Sequence, residues 1–233
     1  MRLDKFLAES GLFSRSEAGR AVRAGRVAVG GEVVKNPSVH IPEDAEVFCD
    51  GQRVYWTKYQ YIMLNKPVGV VSATEDGGRT VMDLLPPSCK RLDMFPCGRL
   101  DIDTTGLLLI TNDGPGAHMW LSPKRHVTKT YRFTCVPALS EQGIAQLETG
   151  VDLGEFISAP AKLQMDAGNL SGTISITEGK FHQIKRMFHG VGSEITSLER
   201  IAFGPLTLDP ALERGEWRYL TEAEITALQA LLK

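Results

Sequence analysis

The chain has 233 residues, of which 42% are hydrophobic and 23% charged, and its formal net charge is −2. These values are those of a soluble globular protein with one ordinary domain plus a small one. No apolar run approaches the roughly 20 residues of a membrane helix, so we expect no membrane association. The N-terminus lacks a signal-peptide-like apolar core, and the four cysteines and five histidines show no metal-binding or redox spacing. We therefore expect a cytoplasmic protein with reduced thiols and no metal.

The first 35 residues are basic, although the chain as a whole is slightly acidic. They hold seven basic and four acidic residues, a net charge of +3, whereas the remaining 19 basic and 24 acidic residues give −5. A locally basic module can bind phosphates whatever the whole-chain charge. The alternative is that these side chains are ordinary solvated charges. The candidates for RNA contacts in this module are Arg2, Lys5, Arg15, Arg20, Arg23 and Arg26.

Short elements are predicted for this basic module from apolar spacing, a capping box and a two-glycine turn. They are a helix over residues 3–9, a helix from Ser14 to Gly25, a hairpin over 27–34, a strand over 45–49 and a linker over 50–59. This helix–helix–hairpin order, which opens Met-Arg-Leu-Asp-Lys-Phe-Leu, resembles the S4-like RNA-binding domain over about residues 1–50.

The next predicted strand is the apolar run Tyr61–Leu64. It ends at Asn65-Lys66-Pro67, because proline cannot continue the hydrogen-bond ladder. Lys66 then has two readings, a solvated strand end or a contact to an RNA phosphate.

A polar loop, residues 98–106, is followed at once by the apolar run Leu107–Ile110. The run predicts a short buried strand, and a loop anchored by such a strand holds its carboxylates in place. If the loop is extended, the period of two puts Asp101 and Asp103 on one face, with Arg99 two residues before Asp101. We interpret Asp103, which precedes two threonines, as a turn-capping carboxylate.

Two later segments carry further candidates. Residues 129–136 alternate as a strand that puts Tyr131 on its apolar face, where a core tyrosine is the plain interpretation. Residues 181–191 predict an amphipathic helix. One side of it is apolar, with Phe181, Ile184, Met187, Phe188 and Val191. The other is a basic stripe of His182, Lys185, Arg186 and His189, for which an anionic partner is the simplest explanation.

Several of these segments resemble the RNA pseudouridine synthases. They are Gly98-Arg99-Leu100-Asp101 with the Thr-Thr-Gly-Leu-Leu-Leu that follows, Lys129-Thr130-Tyr131, His182-Gln183-Ile184-Lys185 and Asn65-Lys66-Pro67. The resemblance implies that Asp101 attacks the target nucleoside, that Tyr131 stacks on the uracil and that the basic residue after His-Gln-Ile pairs with Asp101. That residue is Lys185, but many relatives have arginine there, which keeps Arg186 as an alternative.

The resemblance covers nearly the whole chain and implies an α+β fold. The expected domains are an S4-like RNA-binding domain with linker, residues 1–58, and a catalytic domain with a mixed, mostly antiparallel sheet, residues 59–233. The members most alike modify one uridine of 16S rRNA, so we expect a monomer that acts on 16S rRNA or on a small-subunit assembly intermediate. The isomerisation involves neither redox change nor an outside group, so no cofactor is expected.

Three other functions remain open at this point. They are modification of 23S rRNA, a non-catalytic role in rRNA binding or ribosome assembly, and a nucleosidase reaction that releases free uracil.

Overall fold

Residues 1–232 are described by a computed structural model, and they fall into two units. The smaller unit comprises residues 1–60 together with residues 85–94, and the larger comprises residues 61–84 and the chain from Phe95 onward. The sequence analysis assigns residues 85–94 to the catalytic domain. In the structure they pack with the smaller unit instead, where Arg91 donates a hydrogen bond to the carbonyl of Gly11 at 2.8 Å.

The smaller unit combines short helices with an antiparallel sheet. Its elements are α1 (Leu3–Glu9), α2 (Arg15–Arg23), β1 (Val27–Val29), β2 (Glu32–Val33), β3 (Val47–Cys49), β4 (Gln52–Val54) and α3 (Pro87–Arg91). The strand order is β2-β1-β3-β4. The predicted capping box is present, because the Ser14 hydroxyl accepts from the Glu17 amide and the Glu17 carboxylate accepts from the Ser14 amide. The predicted helices correspond to α1 and α2, and the predicted hairpin corresponds to β1 and β2, so these predictions are confirmed.

The interpretation of residues 50–59 as a linker was wrong for its first half. Asp50 and Gly51, with φ of 51° and 79°, form a two-residue turn, and β4 then returns along β3. An Asp-Gly pair is a common hairpin signal, and it was visible in the sequence. Trp56 packs against Phe6, with ring centroids 6.4 Å apart, and so extends the core of this unit.

The larger unit is built on one long sheet. Its strands are β5 (Tyr61–Lys66), β6 (Phe95–Pro96), β7 (Thr105–Thr111), β8 (Lys129–Val136), β9 (Lys162–Met165), β10 (Ser171–Ile176), β11 (Glu194–Phe203), β12 (Leu206–Thr207) and β13 (Trp217–Tyr219). Its helices are α4 (Gly114–Leu121), α5 (Glu141–Thr149), α6 (Gln183–Gly190) and α7 (Glu222–Ala230), with 3₁₀ helices at Val81–Leu84 and Pro123–Arg125. Every helix within residues 1–232 is too short or too polar to cross a bilayer.

The sheet follows the order β13-β5-β7-β11-β8-β10-β9, with β6 paired to β7 and β12 to β11. Among the paired strands of this sheet in the described residues, β7 and β11 run parallel and the others antiparallel, so the mixed, mostly antiparallel sheet is confirmed. The predicted strand Leu107–Ile110 forms the buried middle of β7, which lies between β5 and β11. This position sets the loop before β7 at the end of a fully packed strand.

Helix α6 begins later than the apolar pattern predicts. His182 has a left-handed backbone, with φ of 49°, and precedes the first helical residue, Gln183. Phe181 therefore lies outside the helix, and it is 69% exposed instead of joining the apolar side. Ile184, Met187 and Phe188 do form that side and are buried.

Candidate active site

The loop between β6 and β7, which we call the Asp101 loop (residues 98–104), is held by hydrogen bonds to its backbone. The buried Ser72 hydroxyl donates to the Leu100 carbonyl at 2.9 Å and accepts from the Leu100 amide at 3.1 Å. The Gly69 amide donates to the Ile102 carbonyl at 2.8 Å. These contacts fix the main chain on both sides of Asp101.

Lys66 provides a second anchor for the same loop. Its side chain is fully buried, and its ammonium donates to the carbonyls of Asp101 at 3.0 Å and Thr104 at 2.9 Å. Burial lowers the pKa of Lys66 to about 8, although Asp103 and Asp101 oppose the shift. The prediction that Lys66 contacts RNA was wrong, because a buried ammonium that is bonded to the loop cannot reach a phosphate.

The Asp101 carboxylate lies between two basic side chains. Lys185 Nζ is 3.5 Å from Oδ2 of Asp101, and His182 Nε2 is 3.6 Å from Oδ1. Arg186 turns elsewhere, to the Glu155 carboxylate at 3.4 Å and the Leu153 carbonyl at 3.1 Å. Of the two alternatives left by the sequence, Lys185 is thus the one that reaches Asp101.

Asp103 shares the same ammonium. Its carboxylate accepts a hydrogen bond from Lys185 at 2.5 Å, and this bond lowers the pKa of Asp103 below its usual value. The loop is a turn and not extended, because the Thr104 amide donates to the Asp101 carbonyl. The turn nevertheless directs both carboxylates to one cation. The interpretation of Asp103 as a capping group was wrong, since its partner is a side chain from α6.

A cleft of about 470 Å³ opens beside Asp101. Tyr131, buried on the apolar face of β8, lines it together with Asp101 and His182. Arg99 also lines the cleft, but it is exposed and makes no ion pair with any residue of the described chain. A supporting role of Arg99, two residues before Asp101, therefore stays a prediction.

Two buried cations in the same cleft were missed by the sequence analysis. Lys129 and Arg200 both line it and are 7% and 2% exposed. The signal for Lys129 was its place in the alternation of β8, two residues before Tyr131 and on the same face. Arg200 is paired with Tyr131 across β11 and β8, a relationship that only the strand register reveals.

The basic candidates of the smaller unit divide into two sets. Three of them have acidic partners and are largely neutralised: Arg2 with Asp4 at 2.6 Å, Lys5 with Glu9 at 3.5 Å, and Arg26 with Asp50 at 2.5 Å. Arg15, Arg20 and Arg23 are exposed and form no ion pair within residues 1–232.

Groups of three or more His, Cys, Asp or Glu side chains suited to a metal ion do not occur in the part of the chain described. The cleft beside Asp101 combines the aromatic ring of Tyr131 with cations inside it and at its rim, which suits an aromatic ligand that carries hydrogen-bond acceptors, such as a nucleobase.

The chain is similar to known proteins over nearly its whole length. A family model described as RNA pseudouridylate synthase matches residues 60–190, and the S4 domain model matches residues 1–54. The chain belongs to the RNA pseudouridylate synthase family.

Other members of this family are similar over nearly all of both chains. An uncharacterized RNA pseudouridine synthase of Bacillus subtilis, YtzG, is 47% identical over 98% of each chain. The ribosomal small subunit pseudouridine synthase A of Haemophilus influenzae is 41% identical over 98% of this chain and 99% of its own. A crystal structure of a pseudouridylate synthase superposes with a TM-score of 0.68, at 38% identity over 98% and 99% of the two chains.

A pseudouridine synthase breaks the N1–C1′ bond of a uridine, turns the base and joins C5 to C1′. Such a reaction needs an ionised carboxylate beside the sugar, as in retaining glycosidases. The Lys185 ammonium, 3.5 Å from the Asp101 carboxylate, supplies an opposite charge beside it. The target base must also leave its stack, which is least costly in loops and unpaired RNA.

Proposed function

We propose that this enzyme isomerises a uridine of small-subunit (16S) rRNA to pseudouridine, with Asp101 as the reacting carboxylate. The observation that carries the proposal is the juxtaposition of Asp101, Lys185 and Tyr131 around one cleft, with the Asp101 loop tied down by Lys66 and Ser72. The name of the Haemophilus influenzae relative, similar over the full chain, supports the small subunit as the source of the RNA.

Each side chain has a proposed part. Asp101 acts on the nucleoside, at C1′, at C6 or by removing a ribose proton. Lys185 holds and orients the carboxylate by an ion pair, and Tyr131 stacks on the flipped-out uracil, an interaction worth about 1–3 kcal/mol per base. His182 and the exposed Arg99 lie on the rim of the cleft, where they face phosphates, and Arg186 extends the basic surface of α6 beyond the cleft. A monomer suffices, because every one of these groups comes from the larger unit of one chain.

The proposal gives the smaller unit the task of holding RNA. Arg15, Arg20 and Arg23 are exposed and form no close ion pair within the described residues, so their guanidinium groups are accessible to phosphates. Contacts of this kind give affinity and salt dependence but carry no sequence information. The selection of one uridine then rests with the catalytic cleft and the fold of the rRNA or of an assembly intermediate.

Mapping of pseudouridine in the 16S and 23S rRNA of cells that lack this gene tests the proposal. We expect one site to be lost from 16S rRNA, restored by the wild-type gene and not by the Asp101→Asn gene. A site lost from 23S rRNA instead would overturn the assignment of the substrate. Unchanged maps would favour a non-catalytic assembly factor, and free uracil released from rRNA by the purified protein would favour a nucleosidase.

A further inference from the structure

Lys129 and Arg200 are buried cations without a buried anion. Neither forms an ion pair with a residue of the described chain, and each is more than nine-tenths buried. An isolated buried charge costs several kcal/mol unless it is paired or hydrogen-bonded. Burial lowers the pKa of Lys129, and repulsion by the neighbouring Arg200 charge lowers it further.

The neighbours of this cation pair compensate it only in part. The Lys129 ammonium donates to the Val127 carbonyl at 2.9 Å, and the Arg200 Nε donates to the Leu107 carbonyl at 2.7 Å. Both cations lie over the Phe203 ring, 5.9 Å and 5.3 Å from its centroid. Nη2 of Arg200, however, is buried and has no hydrogen-bond partner within residues 1–232.

The nearby acidic groups do not supply the missing charge. Burial raises the pKa of the adjacent Cys97 thiol to about 12, so the thiol stays neutral. The Glu178 carboxylate lines the cleft, but it accepts from the Ala159 amide at 3.0 Å and from Gln183 at 2.8 Å. Its other oxygen is 3.5 Å from the Lys180 ammonium. Each cation thus has one backbone carbonyl as acceptor, whereas Nη2 of Arg200 remains a buried donor without an acceptor within residues 1–232.

The position of the pair indicates which ligand fits it. Lys129 lies on the same strand face as Tyr131, and Arg200 is the cross-strand partner of Tyr131. A register shift in β11 directly follows Arg200, and such bulges re-aim side chains next to active sites. Phosphates stay on the RNA backbone and meet the exposed rim, whereas a flipped-out base reaches the buried part of the cleft.

We propose that Lys129 and Arg200 form a subsite that binds the carbonyl oxygens of the target uracil. The inference rests on the proposed function and specifies how the cleft holds the base. Both side chains carry only donors, and uracil offers acceptors at O2 and O4. Cytosine has an amino group, which is a donor, at the position of O4, so one of the two cations would face a donor instead of an acceptor. The subsite therefore also selects uridine over cytidine.

The same subsite suits the turning of the base. A half-turn about the N3–C6 axis exchanges N1 with C5 and, with them, O2 with O4. A donor that binds one carbonyl before the turn meets the other carbonyl after it. While the base is detached, its negative charge is delocalised onto both oxygens, and fixed cations stabilise that charge. The C5 proton then leaves and N1 gains a proton, so the product is an isomer.

The variant Lys129→Met tests the subsite, because methionine keeps the volume of the side chain and removes its charge. We expect the single-turnover rate of pseudouridine formation in small-subunit rRNA to fall roughly 10- to 100-fold, the range of a lost charged hydrogen bond. RNA affinity and its salt dependence should stay unchanged. The thermal midpoint should be equal or higher, because an uncompensated buried charge is removed. Lys162→Met on the exposed face of β9 is the matched control and should match the wild type.

A second measurement distinguishes base binding from a structural or phosphate-binding role. In rRNA fragments with 4-thiouridine at the mapped target, the thiocarbonyl is a weaker acceptor, so the wild type should react more slowly than with uridine. Lys129→Met and Arg200→Lys should lose most of this difference. The proposal is overturned if Lys129→Met reacts as fast as the wild type, or if it retains the full rate difference between uridine and 4-thiouridine. It is also overturned if the slope of log K against log[salt] for Lys129→Met falls by about one phosphate contact. A wild type that forms no pseudouridine in any rRNA would instead overturn the proposed function.

Discussion

The ammonium of Lys66 holds the carbonyl of Asp101 at 3.0 Å, so a buried strand end fixes the backbone of the proposed catalytic residue. Replacement by methionine keeps the volume but leaves several carbonyls of the Asp101 loop without a donor. We expect Lys66→Met to lose about 2–4 kcal/mol of unfolding free energy, the range of a broken buried network. Denaturant unfolding would measure this loss, and a native-like circular dichroism spectrum before the transition would show that the variant is folded. A loss below about 0.5 kcal/mol would contradict the anchoring role of Lys66.

The depressed pKa of Lys66 also predicts a pH dependence of stability. The unfolded chain binds more protons than the folded one between the folded pKa of about 8 and the ordinary value of 10.5. The unfolding free energy of the wild type, relative to that of Lys66→Met, should therefore rise as the pH increases through this window. Below pH 7 the difference between the two proteins should be flat. A falling difference between pH 8 and 10 would contradict the assigned pKa shift.

Asp101→Asn is expected to abolish isomerisation while rRNA binding is retained, because the amide is nearly isosteric with the carboxylate but neither attacks carbon nor accepts a proton. Tritium release from C5-labelled small-subunit rRNA and filter binding would measure the two properties. Asp103→Asn is the matched comparison on the same loop. It should keep activity within about tenfold of the wild type, since Lys185 still reaches Asp101. Wild-type release by Asp101→Asn would refute the assignment.

Arg20 and Arg23 are expected to contact phosphates, since both are exposed and form no close ion pair within residues 1–232. The double variant to alanine should weaken rRNA binding and reduce the slope of log K against log[salt] by about two contacts. The control, Lys5→Ala with Arg26→Ala, removes the same charge from two side chains that are already ion-paired. Equal salt slopes for the two double variants would contradict direct phosphate contacts of Arg20 and Arg23 and would show that RNA binding depends only on the net charge of this unit.

Gly106 allows β7 to run against β11 at the end of the Asp101 loop. Its φ is +99°, and an added Cβ would overlap the backbone of Arg200. We expect Gly106→Ala to cost more than about 2 kcal/mol of unfolding free energy and to lower activity through the displaced loop. Gly77→Ala, at a glycine with no neighbour within 4 Å of the added carbon, should be neutral within about 0.5 kcal/mol. Similar unfolding midpoints for the two variants would contradict an overlap between the added Cβ and the backbone of Arg200.

The sequence predicted those parts of the fold that depend on local patterns. Leu107–Ile110, the Ser14 capping box and the Gly30-Gly31 turn each carry their own signal within a few residues, and all are present in the structure. The sequence analysis placed the start of α6 too early, because the spacing of apolar residues gives no information about the left-handed backbone at His182. Patterns of spacing report which faces are apolar, but they do not report single backbone angles.

The candidate site was predictable only in part for a related reason. Asp101, Tyr131 and Lys185 were singled out by resemblance, and the geometry brings them together. The true environment of Lys66 was hidden, because a lysine at a strand end reads as solvated until the loop above it is placed. Arg200 was hidden as well, since its link to Tyr131 depends on pairing between strands some 70 residues apart in the chain.

The assignment of residues 85–94 to the smaller unit bears on how the two units can be studied apart. The polypeptide passes from one unit to the other at residues 60–61, 84–85 and 94–95. A protein shortened to begin at residue 61 would keep Ser88 and Leu92 but lose Gly11, which they approach. If such a fragment were less active, the loss would have two causes, the removal of the basic helices α1 and α2 and the exposure of α3. Charge-reversal variants of the intact chain would measure the contribution of the basic helices alone.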